Sequence, residues 1–491
     1  MFETPTLNLW VIAPMLIVTI WAIILMFIDL YIPEGKKEYT GWLTLVGLIP
    51  ALAVTLLQWN QPDSAFFLEG GQPMVVLDNF AVALNTIYLL TGILATFISV
   101  SYVRDAGLDR GEYYFLMLFS IAGMMLMGMA NDLILIFLAL ELLSIPLYIL
   151  SGFDTGSDQS EESSLKYFLL GAFSSAFFLF GVALTYGATG STSLPIILEN
   201  VTLTDPLALA ALGMLLVGFA FKIGAVPFHM WTPDVYEGAP TSVVAFMSIG
   251  AKVAGFAALI RVLGQGFPIW GDVWAPTLAV ISAATMIVGN IAAVKQQNIK
   301  RMLAYSGIAN AGYILIGVVA SADNPNGISA ALYYMFAYLF TNIGAFAVVT
   351  AVEKHDGQKG LLIEDYKGLA KRHLLLSLLL AYFMFSLVGI PLTGGFTAKF
   401  YVFGTGVEAG LYVLVSIGAI TSVISAFYYL RPVLFAFMYD GAATAKVSRG
   451  LAFVLVVAVV MTLVLGFAPA PWYELAQEAT LGNLATVLAG G

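Results

Sequence analysis

LLVGFAFKIGAVPF, residues 215–228, is an apolar run with a lysine inside it and a helix-breaking turn beside it. Lys222 stands among leucine, valine and phenylalanine, and Gly224 and Pro227 follow at once. A charge at the centre of a bilayer costs about 2.5–3.5 kcal/mol on insertion scales, so such residues face a bundle interior and mark ion or proton paths. A proline-interrupted turn also frees backbone carbonyls, which then need polar partners or water. The same combination recurs further along. MFSLVGIPLTGGFTAKFYVF, 384–403, sets Lys399 beside Gly389, Pro391 and Gly395. VVAFMSIGAKVAGFAALI, 243–260, carries Lys252 near its middle, and LILIFLALELLSIPLYIL, 133–150, carries Glu141.

The rest of the chain fits that reading. Of its 491 residues 60% are hydrophobic and only 10% charged, against about 25% charged in a soluble domain. Apolar runs of the ~20 residues that cross a bilayer recur along the whole length. The fold class is therefore an all-α polytopic membrane protein; a barrel would show short alternating segments instead. There is no cysteine, so disulfides and thiolate-held iron–sulfur clusters are excluded. The three histidines, His229, His355 and His373, are too few to ligate two bis-histidine haems. A net charge of −10 spread over loops leaves no nucleic-acid footprint.

Hydropathy gives about fourteen spans, near 7–31, 41–58, 78–102, 113–130, 132–153, 163–187, 206–230, 241–264, 273–294, 302–320, 327–352, 373–406, 410–438 and 449–469. The first is too long for a signal segment and lacks a basic flank, so it is read as a retained helix. The largest connections, 59–77, 188–205 and 353–372, are too short for a nucleotide or flavin domain. Fourteen of the 20 Lys and Arg fall in alternate loops, from Lys36 and Lys37 through Arg104, Arg110, Lys295, Lys300 and Arg301 to Lys446 and Arg449. The positive-inside rule then sets both termini on the outer face.

The seventh and twelfth spans are both interrupted, and they lie five apart, so they run in opposite directions. Interrupted helices at corresponding positions of two halves indicate an inverted repeat with a mid-membrane site. The expected organisation is an N-terminal three-helix segment (1–112), two five-helix repeats formed by spans 4–8 (113–264) and spans 9–13 (265–438), and a C-terminal helix and tail (439–491).

Lys252 is about eleven residues from either end of its span, roughly 16 Å of depth, too far for its stem to snorkel. Glu141 is also near mid-depth. A buried carboxylate and a buried amine stabilise each other's charge, and separating them changes the proton affinity of both. A Glu141–Lys222 pair would thus couple motion to proton transfer; a static ion pair is the plain alternative. His229 closes the broken seventh helix as a structural residue or a relay. Lys166 either reaches the cytoplasmic surface or bridges Glu141 and Lys222. Arg431 is a packing residue or an exit-path charge, and Arg261 is expected at the interface. There is no phosphate-binding loop or metal-ligand spacing, so transport needs a gradient or a driving partner.

FKIGAVPFHMWTPDVYEGAPTSV, 221–243, closely resembles the signature of the antiporter-like N subunits of respiratory complex I, the proton-pumping NADH:quinone oxidoreductase. So do ELLSIPLYIL (141–150), EESSLKYFLLGAFSSAFFLFGVALTYGATGS (161–191), NIKRMLAYSGIANAGY (298–313) and GIPLTGGFTAKFYVF (389–403), and the similarity runs over nearly the whole chain. The resemblance implies a proton translocase subunit with linked half-channels and no redox chemistry of its own. It puts the proton-carrying roles on Glu141, Lys222, Lys252 and Lys399 and matches Lys166 to the family's span-six lysine; Lys166, with His229 and Arg431 from the reading of the residues above, is taken as auxiliary. NADH, flavin, iron–sulfur clusters and quinone are expected in partner subunits, with sister antiporter-like subunits as neighbours in an energy-conserving, bacterial inner or plasma membrane. A Mrp-type cation/proton antiporter subunit is the alternative of a different class, and a purely structural spacer is a third.

Overall fold

The computed structural model describes residues 7–67, 71–353, 360–479 and 481. His355 and both termini, Met1 and Gly491, lie outside the described residues. The chain is a bundle of long helices. The first six are α1 (Ala13–Asp29), α2 (Glu38–Leu57), α3 (Asn79–Asp105), α4 (Glu112–Met129), α5 (Leu133–Ser151) and α6 (Asp158–Thr189). A small hairpin, β1 (Asp63–Ala65) with β2 (Val75–Leu77), closes the loop between α2 and α3. The short α7 (Leu194–Asn200) precedes α8 (Pro206–Ile223), α9 (Trp231–Gly238), α10 (Thr241–Met247) and α11 (Gly250–Arg261). Then come α12 (Gly271–Val294), α13 (Ile299–Ala320), α14 (Asn326–Val352) and the single turn α15 (Leu369–Arg372). The last five are α16 (Leu374–Val388), α17 (Gly394–Glu408), α18 (Tyr412–Met438), α19 (Arg449–Phe467) and α20 (Ala470–Glu478).

Among the described residues 12 helices are long and apolar enough to cross a membrane, with α1 and α16 as shorter apolar helices. Together they fall on the fourteen spans expected from hydropathy. Burial sorts them. The span of α10 and α11 is 100% buried, α13 94% and α14 89%, whereas α6, α18 and α19 are each 33% buried. A helix that is apolar all round belongs either inside a bundle or against lipid. The central trio is inside, and it carries Lys252 and its neighbours.

Both anticipated breaks are present, and they are built alike. α8 ends where Gly224 takes φ 74° and α16 ends where Gly389 takes φ 91°. In each, the glycine N–H donates three residues back, Gly224 to Phe221 O and Gly389 to Ser386 O, and the next N–H reaches five residues back, Ala225 to Ala220 O and Ile390 to Phe385 O. This is the Schellman ending, which places its left-handed residue where glycine has no Cβ to clash. A second feature also recurs. Asp132 caps α5 through the Ile134 and Leu135 N–H groups, and Asn298 caps α13 through those of Lys300 and Arg301. Each capping residue forms an isolated bridge to the loop after the following span, Asp132 to Ser193 and Asn298 to Leu362. The lysines differ in placement: Lys222 precedes its break, while Lys399 follows its own, on α17.

Three expectations change. The eighth span is not continuous: α10 stops at Met247 and α11 restarts at Gly250, with Ile249 at φ −109°, ψ −66° between them. No proline marks this break, so hydropathy alone reads through it. Arg261 is not interfacial but fully buried. It forms a two-pronged ion pair with Asp78, Nη1 to Oδ2 at 3.0 Å and Nη2 to Oδ1 at 2.9 Å, and its Nε donates to Gly128 O. This ties α3, α4 and α11 together. Lys300, counted above as a loop charge, is 3% exposed.

The two capping glycines give a direct test. A Cβ at Gly389 would sit 3.0 Å from Lys399 Cδ, and one at Gly224 would sit 3.1 Å from Thr232 Oγ1. Alanine there must also adopt a left-handed backbone, at about 1–2 kcal/mol. Gly213, on α8 with nothing within 4 Å of an added Cβ, is the control. Gly224→Ala and Gly389→Ala are expected to lower the thermal midpoint and yield of the purified complex. Gly213→Ala should leave both unchanged. Equal behaviour of all three would show that the breaks do not depend on glycine.

Candidate functional site

Glu141 lies in the middle of α5, half-buried, with Ser175 of α6 donating to its Oε1 at 2.5 Å. Ser144 is one turn further along the same face. Lys222, 4% exposed, donates from Nζ to Ser144 Oγ at 2.7 Å, and Ser144 in turn donates to Leu140 O. Glu141 and Lys222 are within electrostatic reach of one another but form no direct ion pair. The expected pair is thus not formed directly: the Ser144 hydroxyl meets Lys222, and the Ser175 hydroxyl meets Glu141. A hydroxyl both donates and accepts, so it can pass a proton between flanking groups.

Aromatic packing fixes the end of α8 that carries Lys222. Trp231 of α9 donates from Nε1 to Phe221 O at 3.0 Å and stacks on Tyr167, with centroids 4.5 Å apart. The Tyr167 ring in turn faces the Lys222 ammonium at 5.8 Å. On the far side, Gly255 lets α11 close on α8: a Cβ there would meet Lys222 Cγ at 3.2 Å. Lys252 lies one turn from Gly255 on α11. Its Nζ donates to Gly307 O at 2.5 Å and lies 5.8 Å from the Tyr338 ring centre.

From Lys252 a polar seam continues through α13, α14 and α18. Tyr334 donates to Asn310 Oδ1 at 2.6 Å, Asn310 donates to Ser306 O at 2.8 Å, and Ser306 bonds the Tyr429 hydroxyl. Asn310, Tyr334, Tyr338, Thr341 and Ser386 line one small cavity, and Lys399 closes it. Lys399 is 5% exposed. Its ammonium donates to Leu387 O at 3.0 Å, Val388 O at 2.8 Å and Ser422 Oγ at 2.8 Å, and lies 4.7 Å from the Tyr313 ring centre. The first two acceptors are the carbonyls that end α16. The break therefore supplies the ligands of the lysine that follows it, and a cation at a helix C-terminus also meets a favourable dipole.

The four sequence-derived residues thus lie along one buried seam. The three auxiliary residues do not join it. Lys166 is 40% exposed and pairs with Glu162 at 2.6 Å and Asp234 at 2.7 Å, so it does not bridge Glu141 and Lys222. Arg301 completes that cluster with Asp234 at 2.6 Å and Glu237 at 2.8 Å. Burial pushes the Asp234 carboxyl up, but the hydrogen bonds from Lys166 and Arg301 outweigh it and hold it below its usual range. Arg431 donates to Val294 O and Gln296 O at 2.9 Å, which caps the end of α12. His229 is half-buried in the turn between α8 and α9. Sequence reading passed over Ser144, Ser175, Ser422, Tyr334 and Tyr429, whose residue types are common in membrane helices. Asn310, an amide deep in an apolar helix, was the one with a usable signal.

The sequence and the fold both match known proteins. The family profile described as NADH:quinone oxidoreductase/Mrp antiporter, TM, matches residues 130–425. The NADH-quinone oxidoreductase subunit N of Chloroflexus aggregans is 44% identical over 97% of this chain and 98% of its own length. That of Trichlorobacter lovleyi is 44% identical over 96% and 97%. Among solved structures, a chain of respiratory complex I from Thermus thermophilus with bound aureothin is 35% identical, with a TM-score of 0.81 over 94% of this chain and 99% of that one. A chain of the Mrp complex from Dietzia has a TM-score of 0.85 at 21% identity over 98% and 99%, a likeness of fold alone. The chain belongs to the NADH:quinone oxidoreductase/Mrp antiporter family and, within it, to the subunit N branch.

Proposed function

We propose that this chain translocates protons as a membrane-arm subunit of an NADH:quinone oxidoreductase, driven by quinone reduction in partner subunits. One observation carries the reading. Arg261, a buried cation with a structural role, has a carboxylate on two of its nitrogens. Lys222, Lys252 and Lys399 are nearly as deeply buried, yet among the described residues none has a carboxylate within ion-pair distance; hydroxyls and carbonyls meet them instead. A buried charge without a counter-charge destabilises the fold, and a lysine relieves this by giving up its proton. Three such sites on one seam favour transport over a spacer role.

In this scheme Glu141 takes up or delivers a proton beside Ser175, and Ser144 links it to Lys222. Lys252 passes the proton on past Gly307 and the Asn310–Tyr334 amide and hydroxyl. Lys399 holds it against the open end of α16. Sister antiporter-like subunits flank the chain, and NADH, flavin, iron–sulfur clusters and quinone belong to other subunits. The matching glycine endings and capping bridges support two inverted halves, 113–264 and 265–438, between the segments 1–112 and 439–491. In both halves the first span packs on the second and on the fifth, and the second packs on the third. The alternating basic loops support outward-facing termini.

Lys222→Ala and Glu141→Ala are expected to cut proton pumping in reconstituted complex about a hundredfold, the lower end of what losing a proton-transfer group does. Coupled quinone reduction should slow with it. Lys222→Arg should preserve assembly but not pumping, because arginine does not release its proton. Pumping should not depend on sodium, which sets it apart from cation antiport. A pH-sensitive dye in vesicles reads pumping with and without sodium, NADH absorbance reads the coupled quinone reduction, and native gels read assembly. Normal proton-to-electron ratios in both assembled alanine variants would make the seam structural. Orientation has its own test: a reporter fused after Gly491 is expected to be active only on the outer side, and cytoplasmic activity would reverse the assignment.

A further inference from the structure

A second polar cavity opens at the basic-rich end of the bundle, away from the lysine seam. It lies between α3, α14 and the segment entering α19, and Ser101, Tyr102, Asp105, Glu353, Lys446 and Ser448 line it. Its outer part carries the Lys446–Asp105 ion pair, 2.5 Å, with the Lys446 side chain 73% exposed. Its inner part is Glu353, the residue that ends α14. Glu353 Oε1 accepts from the Tyr102 hydroxyl at 3.2 Å, and Tyr102 accepts from Thr241 N–H at 3.1 Å. Glu353 Oε2 is buried with no hydrogen-bond partner among the described residues.

Lys300 is within electrostatic reach of Glu353 and Glu237 and has no ion pair among the described residues; its ammonium donates to Ala239 O at 2.7 Å. Ala239 and Thr241 belong to the linker that starts α10, and the Thr241 hydroxyl, buried beside that of Tyr102, has no further partner among the described residues. α10 runs from there to Ser248, which accepts from Asn342 at 2.7 Å, and α11 then presents Lys252. The Asn342 carbonyl oxygen is likewise unmatched. Native interiors leave few such atoms, and those they leave call for water or a function. Here they fall at both ends of α10, about 10 Å apart at the helical rise, a gap that a short water file spans.

We infer that Glu353 and Lys300 form a proton inlet that loads Lys252 from the basic-rich face, an assignment that rests on the translocation reading above. Glu353 takes a proton from cavity water, leaving hydroxide to the bulk. The Lys300 ammonium gives its proton on past Thr241 and Ser248 to Lys252, and the acid returns one to the Lys300 amine through water. Each transfer breaks one O–H or N–H bond and forms another, so charge and atoms balance without any co-reactant.

The test uses the whole complex in vesicles, with assembly checked on native gels. Glu353→Gln and Lys300→Met should each slow pumping about a hundredfold, the lower end of the effect of a lost proton-transfer group. Millimolar azide, whose conjugate acid ferries protons into a cavity, should restore much of the rate in Glu353→Gln. Thr241→Ala removes one hydroxyl and keeps the backbone N–H that Tyr102 accepts, so it should slow pumping without harming assembly; it carries the test if the other variants fail to assemble. Wild-type pumping in these variants, alongside loss in Lys399→Ala, would overturn the inlet and leave translocation standing. A loss in Glu353→Gln that azide does not relieve would make Glu353 structural. Normal pumping in Lys399→Ala and Lys222→Ala as well would overturn both.

Discussion

An ammonium group inside a helical bundle needs acceptors, and intact helices offer few, because their carbonyls are already engaged. That constraint organises the centre of this protein. The ending of α16 leaves Leu387 O and Val388 O to Lys399, and the ending of α8 lets Lys222 reach Ser144. Glycine makes both endings possible, and the absence of a Cβ at Gly307 leaves room for the Lys252 ammonium 2.9 Å away from where that atom would be. Backbone interruption, close glycine contacts and buried lysines are therefore parts of one arrangement. Removing the ending of α16 would leave Lys399 without two of its three acceptors.

Buried cations occur in two forms here. Arg261 and Asp78 are held by paired hydrogen bonds, with Asp78 also capping α3 through Ala81 N–H. A planar guanidinium matched to a carboxylate is geometrically fixed and stays charged. The seam lysines are met by neutral acceptors, which tolerate either protonation state. The same interior thus contains a rigid tie between α3 and α11 and a set of titratable points beside it. The difference lies in the choice of cation and acceptor rather than in depth.

Much of this was legible in the sequence, for a local reason. An ionisable residue within an apolar run is visible without knowing its neighbours, so Glu141, Lys222, Lys252 and Lys399 stood out, as did the glycine–proline breaks beside two of them. What escaped was tertiary. Asp78 lies 183 positions from Arg261, and no pattern joins them. Lys300 follows a helix cap and reads as a loop residue until the linker at 239–241 covers it. Ser144 and Tyr429 resemble many other hydroxyls in these helices until Lys222 and Ser306 are placed against them. The break at Ile249 has no proline to announce it.

The eight-residue helix α9 joins two otherwise separate regions. At one end Trp231 grips the carbonyl before Lys222 and the face of Tyr167; further along, Asp234 and Glu237 hold Lys166 and Arg301. Through these contacts α9 ties an ion cluster that dissolved ions screen to the end of α8 that carries Lys222. A water-accessible charge network and a buried amine are thus fastened to one short helix.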